Sequence, residues 1–144
     1  RLVREIALSV GGGEVSSYEI DQIGIAPASR KAMRMALGEL VPSPDHLLID
    51  AFTLDWQRTP CTAVIKGDAL CTAISAASVV AKVYRDDVMR RLDGVYPGYG
   101  LRGHKGYASA EHLAALLAKG PAPVHRYSFS PLRPTLFDIG VKRH

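Results

Sequence analysis

Two aspartates that follow apolar, strand-like runs are the residues of this chain best suited to metal chemistry. Asp50 ends the run HLLID, and Asp68 follows the β-branched run TAVIK and a glycine. Open α/β sheets bind ligands at the carboxyl ends of their strands, where two carboxylates can share a divalent cation such as Mg²⁺. Either aspartate alone is more typical of a turn or a helix cap than of a metal site. The metal site is therefore a hypothesis about the pair.

A second group of residues is basic and aromatic. The glycine-rich loop after Tyr96 ends in RGHKGY, which brings together the side chains of His104, Lys105 and Tyr107. Two basic groups and one ring are suited to contact a phosphate backbone and a sugar. The same composition is equally typical of a flexible surface loop, and both interpretations stay open.

The segment HRYSF near the end of the chain also allows two interpretations. His125, Arg126 and Ser128 are able to hydrogen-bond phosphates. His125 and Arg126 are equally able to fix the tail to the core by capping backbone carbonyls, and their residue types slightly favour this structural role. Asp86, next to Arg85 in a helical pattern, is more typical of a solvated or ion-paired helix face than of a catalytic site.

Strands that alternate with helices must position these residues, and this alternation predicts an α/β layered domain. Ser16 and Glu19 have the spacing of a capping box, Pro27 suits the first turn of a helix, and Ser109 suits an N-cap. The predicted elements, in order, are a strand within Arg4–Val10, a turn at Gly11–Gly13, a helix from Ser16 to Gln22, a helix from Pro27 to Leu40, strands at His46–Asp50 and Thr62–Lys66, and helices at Ile74–Leu92 and Ala110–Lys119.

The composition describes an ordinary globular protein of one domain, residues 1–144. Apolar residues make up 47% and charged residues 22% of the chain, and the net charge is +4. A positive balance is compatible with an anionic partner, although it is weak evidence alone. The two cysteines are too few for a disulfide framework, and no apolar run is long enough for a membrane span. We therefore expect a cytoplasmic protein with no membrane partner.

The longer motifs resemble one known family. The run IKGDALCTAISAASVVAKVYRD, then YPGYGLRGHKGYASAEHL and HRYSF, closely resemble bacterial ribonuclease HII, the type 2 ribonuclease H. The resemblance extends back through LLIDAF and SSYEIDQIGIAPASRKAM, so it covers nearly the whole chain. It implies a ribonuclease H-like layered fold, with a mixed sheet flanked by helices. It also implies an endonuclease that hydrolyses the RNA strand of RNA/DNA hybrids and cuts at single ribonucleotides in DNA, as in ribonucleotide excision. The implied mechanism is two-metal catalysis with Mg²⁺ or Mn²⁺.

The resemblance also implies roles for individual residues. Asp50 matches the central metal-binding aspartate of the family and Asp68 matches its fourth carboxylate, which makes both catalytic metal ligands. Tyr107 matches the tyrosine that packs on the sugar at the RNA–DNA junction, and we expect it to overhang the same hollow as the two aspartates. The residues expected to bind substrate are Tyr107, Lys105, His104, Lys66, Arg126 and Ser128.

The chain departs from the family pattern at its start. The family opens with a strand bearing Asp-Glu-Ala-Gly-Arg-Gly, which supplies two more carboxylates and the backbone that reads the ribose 2′-hydroxyl. Nothing in Arg1–Val10 matches it, so we expect a fold that is incomplete at its N-terminal strands, with weak metal binding and little activity of its own. Ala51 stands where many relatives carry glycine, a change that we expect to be tolerated.

Two further expectations follow from the same departure. Uncovered sheet surface favours self-association through exposed strands. A different function also stays open, in which the chain is a non-catalytic module that keeps the basic loop His104–Tyr107 and binds nucleic acid without cutting it.

Overall fold

A computed structural model describes residues 2–133, and within them seven helices accompany a parallel pair of strands. The elements, in order, are α1 (Leu2–Ile6), α2 (Ser17–Ile23), α3 (Ile25–Gly38), β1 (Leu47–Asp50), β2 (Cys61–Val64), α4 (Gly67–Leu70), α5 (Thr72–Val95), α6 (Leu101–His104) and α7 (Ala110–Lys119). The expected α/β architecture is confirmed, and the sheet seen in these residues is parallel rather than mixed.

The register of the two strands decides where the candidate site lies. Leu47 lies opposite Cys61, and Asp50 lies opposite Val64. Because the strands are parallel, both carboxyl ends open at the same edge of the sheet. Helices α4 and α5 pack against β1, and Leu47 is buried beneath them. The segments that follow Asp50 and Val64 therefore leave the sheet side by side.

The helix caps agree with the sequence patterns, with one change. The hydroxyl of Ser16 accepts a hydrogen bond from the backbone N–H of Glu19, and Ser109 does the same for His112. The carboxylate of Glu19 pairs with Lys31 instead of reaching back to the cap, so the capping box is formed from one side only. The boundaries predicted for α2 and α7 are confirmed within a residue.

The largest buried cluster lies in the second half of the chain. Tyr99, Leu101, Leu116 and Ala122 pack together, with Leu92 partly buried against them. This cluster joins the end of α5 to α6, α7 and the segment after α7. It therefore fixes the loop that carries His104, Lys105 and Tyr107. None of the helices in residues 2–133 has the length and apolar character needed to cross a membrane.

The first predicted strand is wrong. Leu2–Ile6 forms α1, whose residues are all at least partly exposed, and residues 7–16 form neither helix nor strand. Leu, Arg and Glu are good helix formers, and in the absence of a strand partner this local preference prevails.

The predicted turn at Gly11–Gly13 is also wrong, because the segment forms no turn and lies along α3. A Cβ atom on Gly11 would lie 2.1 Å from the carbonyl oxygen of Ala36, and one on Gly13 would lie 1.9 Å from that of Ala32. Glycine is required here by the close approach of two backbones, not by a turn.

Candidate metal and nucleic-acid site

The carboxylate of Asp50 is the centre of the candidate metal site. Asp50 is the last residue of β1, it is exposed, and its Oδ1 accepts a hydrogen bond of 2.9 Å from the backbone N–H of Gly67. Asp68 follows Gly67 directly, in the first turn of α4, and is exposed too. The structure thus brings the two predicted aspartates to neighbouring segments at one edge of the sheet.

Both strands leave this edge through left-handed backbone conformations. Ala51 has a φ of 65° and Lys66 a φ of 56°, and both lie in the region that favours glycine. Gly67 is packed so closely that a Cβ atom there would lie 2.5 Å from Cδ1 of Ile74. Non-glycine residues in strained conformations are found more often at functional sites than elsewhere. The exposed Lys66 is held beside the two aspartates by this turn.

The donors at this edge suit a hard cation in kind but are few. Carboxylate oxygens are the ligands that Mg²⁺ and Mn²⁺ prefer. Across residues 2–133, however, no three His, Cys, Asp or Glu side chains are grouped so that they could hold one metal ion. Asp50 and Asp68 would be the residues that hold a divalent cation here, with water completing its coordination.

Tyr107 presents an exposed ring that is fixed from beneath by Arg85. The ring is 65% exposed, and the guanidinium carbon of Arg85 lies 4.7 Å from its centroid. Nη1 of Arg85 donates to the Tyr107 hydroxyl at 3.1 Å, and Nη2 donates to the carbonyl of Lys105 at 2.8 Å. One side chain of α5 therefore orients both the ring and the loop that carries it.

Tyr107 and Asp68 line different grooves along α5. The groove beside Asp68 includes Thr72, Ser75 and Val79, and the groove beside Tyr107 includes Lys82, Arg85, Asp86, His104 and Lys105. Positions 72, 75, 79, 82 and 86 follow helical spacing, so the two grooves lie along one helix face. The expectation of a single shared hollow is wrong. Ser75 and Arg85 are separated by about 15 Å of helix at 1.5 Å per residue.

Three histidines anchor the loop and the tail. His112 and His125 are each 7% exposed, and their Nε2 atoms lie 3.1 Å apart. The ring of His104 stacks on that of His112 at 4.2 Å. Both ring nitrogens of His104 contact backbone atoms, one of Tyr99 and the other of Gly106. Because both nitrogens are engaged within the protein, the contact of His104 with substrate stays a prediction.

The tail is fixed to α2 by Asp21. Its carboxylate accepts hydrogen bonds from the backbone N–H groups of Tyr127 and Ser128 and from the Ser128 hydroxyl. Burial raises the pKa of Asp21, but these donors outweigh it and hold that pKa below its ordinary value. The hydroxyl of Ser128 is thus engaged within the protein, and its predicted role in substrate binding stays a prediction.

Arg126 places its charged group against an aromatic ring of the same segment. Its guanidinium carbon lies 4.0 Å from the centroid of the Phe129 ring. Burial and the nearby Arg85 lower the pKa of Arg126 from its ordinary value. His125 fixes the segment after α7, because its Nδ1 lies 3.0 Å from both the backbone nitrogen and the carbonyl oxygen of Ala122. A phosphate contact by Arg126 stays a prediction.

Sequence reasoning missed three residues that shape the site. Asp21, Arg85 and His112 fix the tail, the Tyr107 ring and the Tyr107 backbone respectively. Asp21 and Ser128 are 107 positions apart, and no local pattern reveals such a pair. Arg85 stood out in the sequence only as the neighbour of Asp86, and His112 lacked a partner at ligand spacing. Only the RD pair at Arg85–Asp86 gave a signal.

An α/β fold with Asp50 and Asp68 beyond the ends of two parallel strands, and with a basic and aromatic groove farther along α5, is consistent with a ribonuclease H-like protein. The family model described as "Ribonuclease HII" matches residues 4–131. The chain belongs to the ribonuclease HII family, and the ribonuclease H-like α/β fold is confirmed with it.

Individual relatives agree with this assignment. The chain is 50% identical over 131 residues to the ribonuclease HII of Solibacter usitatus, which covers 91% of the chain and 57% of that protein. It is 48% identical over 132 residues to that of Chlamydia abortus, covering 92% and 62%. It is 50% identical over 131 residues to that of Myxococcus xanthus, covering 91% and 44%. The chain thus spans about half the length of these curated relatives.

Proposed function

We propose that this chain carries part of the active site of an endonuclease that hydrolyses the RNA strand of RNA/DNA hybrids and single ribonucleotides in duplex DNA. The observation that carries the proposal is the hydrogen bond from Gly67 N–H to Asp50 Oδ1. It ties Asp50 to the residue before Asp68, and both aspartates are exposed to solvent. The family assignment supplies the reaction class.

Divalent cations, Mg²⁺ or Mn²⁺, complete the proposed site. When bound, two such ions would activate a water molecule and stabilise the leaving 3′-oxygen. The role of the chain in this chemistry is to supply negatively charged oxygens at fixed positions. Gly67 N–H holds one oxygen of Asp50 and leaves Oδ2 available as a ligand, while Asp68 presents its carboxylate from the first turn of α4.

The substrate contacts follow from charge and exposure. Tyr107 offers a ring on which a sugar or base packs, and the exposed Lys66 offers a cation for phosphates. Lys105 offers a second cation beside Tyr107, although its ammonium also donates to the carbonyl oxygen of Arg102. Arg126 lies near Arg85 and adds positive charge to the same side. His104 and Ser128 contribute indirectly, because their polar atoms hold the loop and the tail in place.

We further propose that this chain alone cuts slowly or not at all. Two carboxylates offset little of the cost of dehydrating Mg²⁺, so the population of metal-loaded protein is low.

Residues 1–144 act as one domain that works in the cytoplasm. Leu48 and Ile65, 45% and 76% exposed, leave apolar surface at the sheet through which copies of the chain associate.

A cleavage assay with matched substrates tests the proposal. Duplex DNA with one ribonucleotide is compared with the same duplex made only of DNA, in Mn²⁺, for this chain and for any longer protein encoded by the same reading frame. The proposal predicts cutting beside the ribonucleotide by the longer protein, and its loss in Asp50→Asn and in Asp68→Asn. Equal cutting by both variants and the unmodified protein would contradict it.

A second candidate is a nucleic-acid-binding module without catalysis. The observation that favours it is the lack of three grouped metal-binding side chains in residues 2–133, although the basic groove around Tyr107 is intact. Such a module would bind both duplexes, would be insensitive to Asp50→Asn, and would cut neither duplex in any length of the protein. The cleavage assay thus separates the two functions.

A further inference from the structure

The histidines beneath the Tyr107 loop form a hydrogen-bonded chain whose proton positions follow from their partners. His104 Nδ1 lies 3.1 Å from the N–H of Gly106, which makes this nitrogen an acceptor. His104 Nε2 lies 2.6 Å from the carbonyl oxygen of Tyr99, which makes it a donor. His104 is therefore neutral, with its proton on Nε2.

His112 has the opposite tautomer. Its Nδ1 lies 2.9 Å from the carbonyl oxygen of Tyr107, and a carbonyl only accepts. The proton is therefore on Nδ1, and Nε2 of the neutral ring is a bare acceptor. The partner of that acceptor is Nε2 of His125, 3.1 Å away, which must carry its proton to donate.

His125 completes a consistent assignment. Its Nδ1 lies 3.0 Å from both the N–H and the carbonyl oxygen of Ala122. That carbonyl already accepts from the backbone N–H of His125 at 2.9 Å, whereas the bare Nε2 of His112 needs a donor, so we assign the His125 proton to Nε2 and leave Nδ1 to accept the N–H of Ala122. Every donor in the chain of rings then meets one acceptor, and all three histidines are neutral. The stack of His104 on His112, with 12° between the ring planes, and the contact of Tyr99 with His125 leave the rings little room to turn.

The end of this chain is the backbone of Tyr107. Its carbonyl accepts from His112 Nδ1 and from the N–H of Ser109, and its own N–H donates to the carbonyl of His104. Both backbone groups of Tyr107 are thus bound to the histidine-bearing segments. The ring stays exposed above them.

We propose that His112 is a positioning residue for Tyr107, held in its Nδ1–H tautomer by His125 and His104, so that the tyrosine ring is set at its substrate-binding position before substrate arrives. The proposal rests on the proposed role of Tyr107 in substrate binding. It assigns no contact between a histidine and the substrate. Positioning by an already ordered backbone reduces the ordering cost of binding.

The test has a spectroscopic arm that does not depend on the proposed function. Nitrogen chemical shifts of ¹⁵N-labelled histidine report which ring nitrogen carries the proton. We expect a protonated Nδ1 and a bare Nε2 for His112, and the reverse for His104 and His125. In His112→Ala we expect the backbone resonances of Tyr107 and Ser109 to shift, and in His112→Asn, whose amide N–H replaces Nδ1–H, we expect them to stay near their original positions.

The binding arm uses a DNA duplex that carries one ribonucleotide, with no divalent metal present. Tyr107→Ala is expected to weaken binding roughly tenfold, the typical loss for one stacking partner. His112→Ala is expected to weaken it nearly as much, His112→Asn to restore most of it, and the double variant to bind no more weakly than Tyr107→Ala. His46→Asn, an exposed histidine bonded to Thr62, is the matched control and is expected to bind normally.

The outcomes separate the two proposals. An His112 tautomer with a bare Nδ1, unmoved Tyr107 resonances in His112→Ala, or additive losses in the double variant would each overturn the positioning role. Equal binding by Tyr107→Ala and the unmodified chain would overturn the substrate role of Tyr107, and the positioning role would then be decided by the Tyr107 resonances alone. If His112→Ala fails to fold, the tautomers of the unmodified chain and the behaviour of His112→Asn decide it.

Discussion

The backbone N–H of Gly67 donates a hydrogen bond of 2.9 Å to Oδ1 of Asp50, and this bond ties the ends of the two strands together. It joins the Asp50 carboxylate at the end of β1 to Gly67, the first residue of α4. The bond therefore helps to fix the position of the next residue, Asp68. Asp50 therefore has two separable tasks, one in stability and one in the proposed metal site.

Substitution of Asp50 separates these tasks. Asp50→Ala is expected to lower the free energy of unfolding by about 1–2 kcal/mol, because a hydrogen bond to a charged acceptor is lost. Asp50→Asn keeps an acceptor oxygen and is expected to lose less than half of that. Chemical denaturation measures both, with Asp68→Asn as the control that changes charge without touching this bond. Equal stability of Asp50→Ala and the unmodified chain would show that the bond contributes nothing.

Replacement of Ala51 by glycine is expected to raise the stability of the chain. Its φ of 65° costs a residue with a Cβ atom about 1–2 kcal/mol, and glycine avoids that cost while losing somewhat more entropy on folding. Ala51→Gly is therefore expected to raise the free energy of unfolding by about 0.5–1 kcal/mol. Ala63→Gly, in β2 at an ordinary strand conformation, is the matched control and is expected to lower it. A lower melting temperature for Ala51→Gly would contradict this account.

Replacement of Arg85 by lysine is expected to lower the stability of the chain. Arg85→Lys keeps the charge but loses the planar group that reaches both the Tyr107 hydroxyl and the Lys105 carbonyl, so we expect a loss of about 1–2 kcal/mol in stability. Arg102→Lys is the control, because Arg102 is largely exposed and its ion pair with Asp93 spans 3.8 Å. Thermal unfolding of the two variants measures the difference, and equal melting temperatures would refute it.

The buried His125 makes stability depend on pH. Burial, with His112 and His104 nearby, lowers the pKa of His125 from its ordinary value of about 6.5. Above that value both folded and unfolded chains hold it neutral. As the pH falls below it, the unfolded chain takes up the proton first, so stability is lost between pH 6.5 and the lowered pKa of the folded chain.

Denaturation curves from about pH 7 to 5 measure this effect. His125→Gln, which cannot be protonated here, is expected to lose less stability over this range than the unmodified chain. Asp21 does not interfere, because its pKa is lowered and its contribution is lost only below about pH 4. Parallel pH profiles for the two proteins would refute the prediction.

Local patterns were enough to predict most elements of the fold. The helices α2, α3, α5 and α7 and both strands could be predicted because caps and apolar spacing are local signals. The segment from Gly11 to Gly13 could not, since its conformation depends on contacts with α3, such as that of Gly13 with Ala32. Short apolar runs are ambiguous between helix and strand without their partners.

The candidate site could be predicted in part for the same reason. Asp50 and Asp68 stood out because strand ends can be identified from sequence, and parallel pairing then brings them to one edge. The separation of Tyr107 from Asp68 could not be foreseen, because it depends on where the loop after α5 packs along that helix. Resemblance suggested residue roles, but it did not give the distances between them.

Paramagnetic broadening by Mn²⁺ in an NMR spectrum of ¹⁵N-labelled chain tests most directly whether Asp50 and Asp68 together bind a cation. We expect selective loss of the amide signals of Ala51, Gly67 and Asp68 at Mn²⁺ concentrations that indicate a dissociation constant on the order of 1 mM or weaker. The loss is expected to disappear in the Asp50→Asn, Asp68→Asn double variant. Broadening that persists in the double variant, or that falls elsewhere on the chain, would contradict the account.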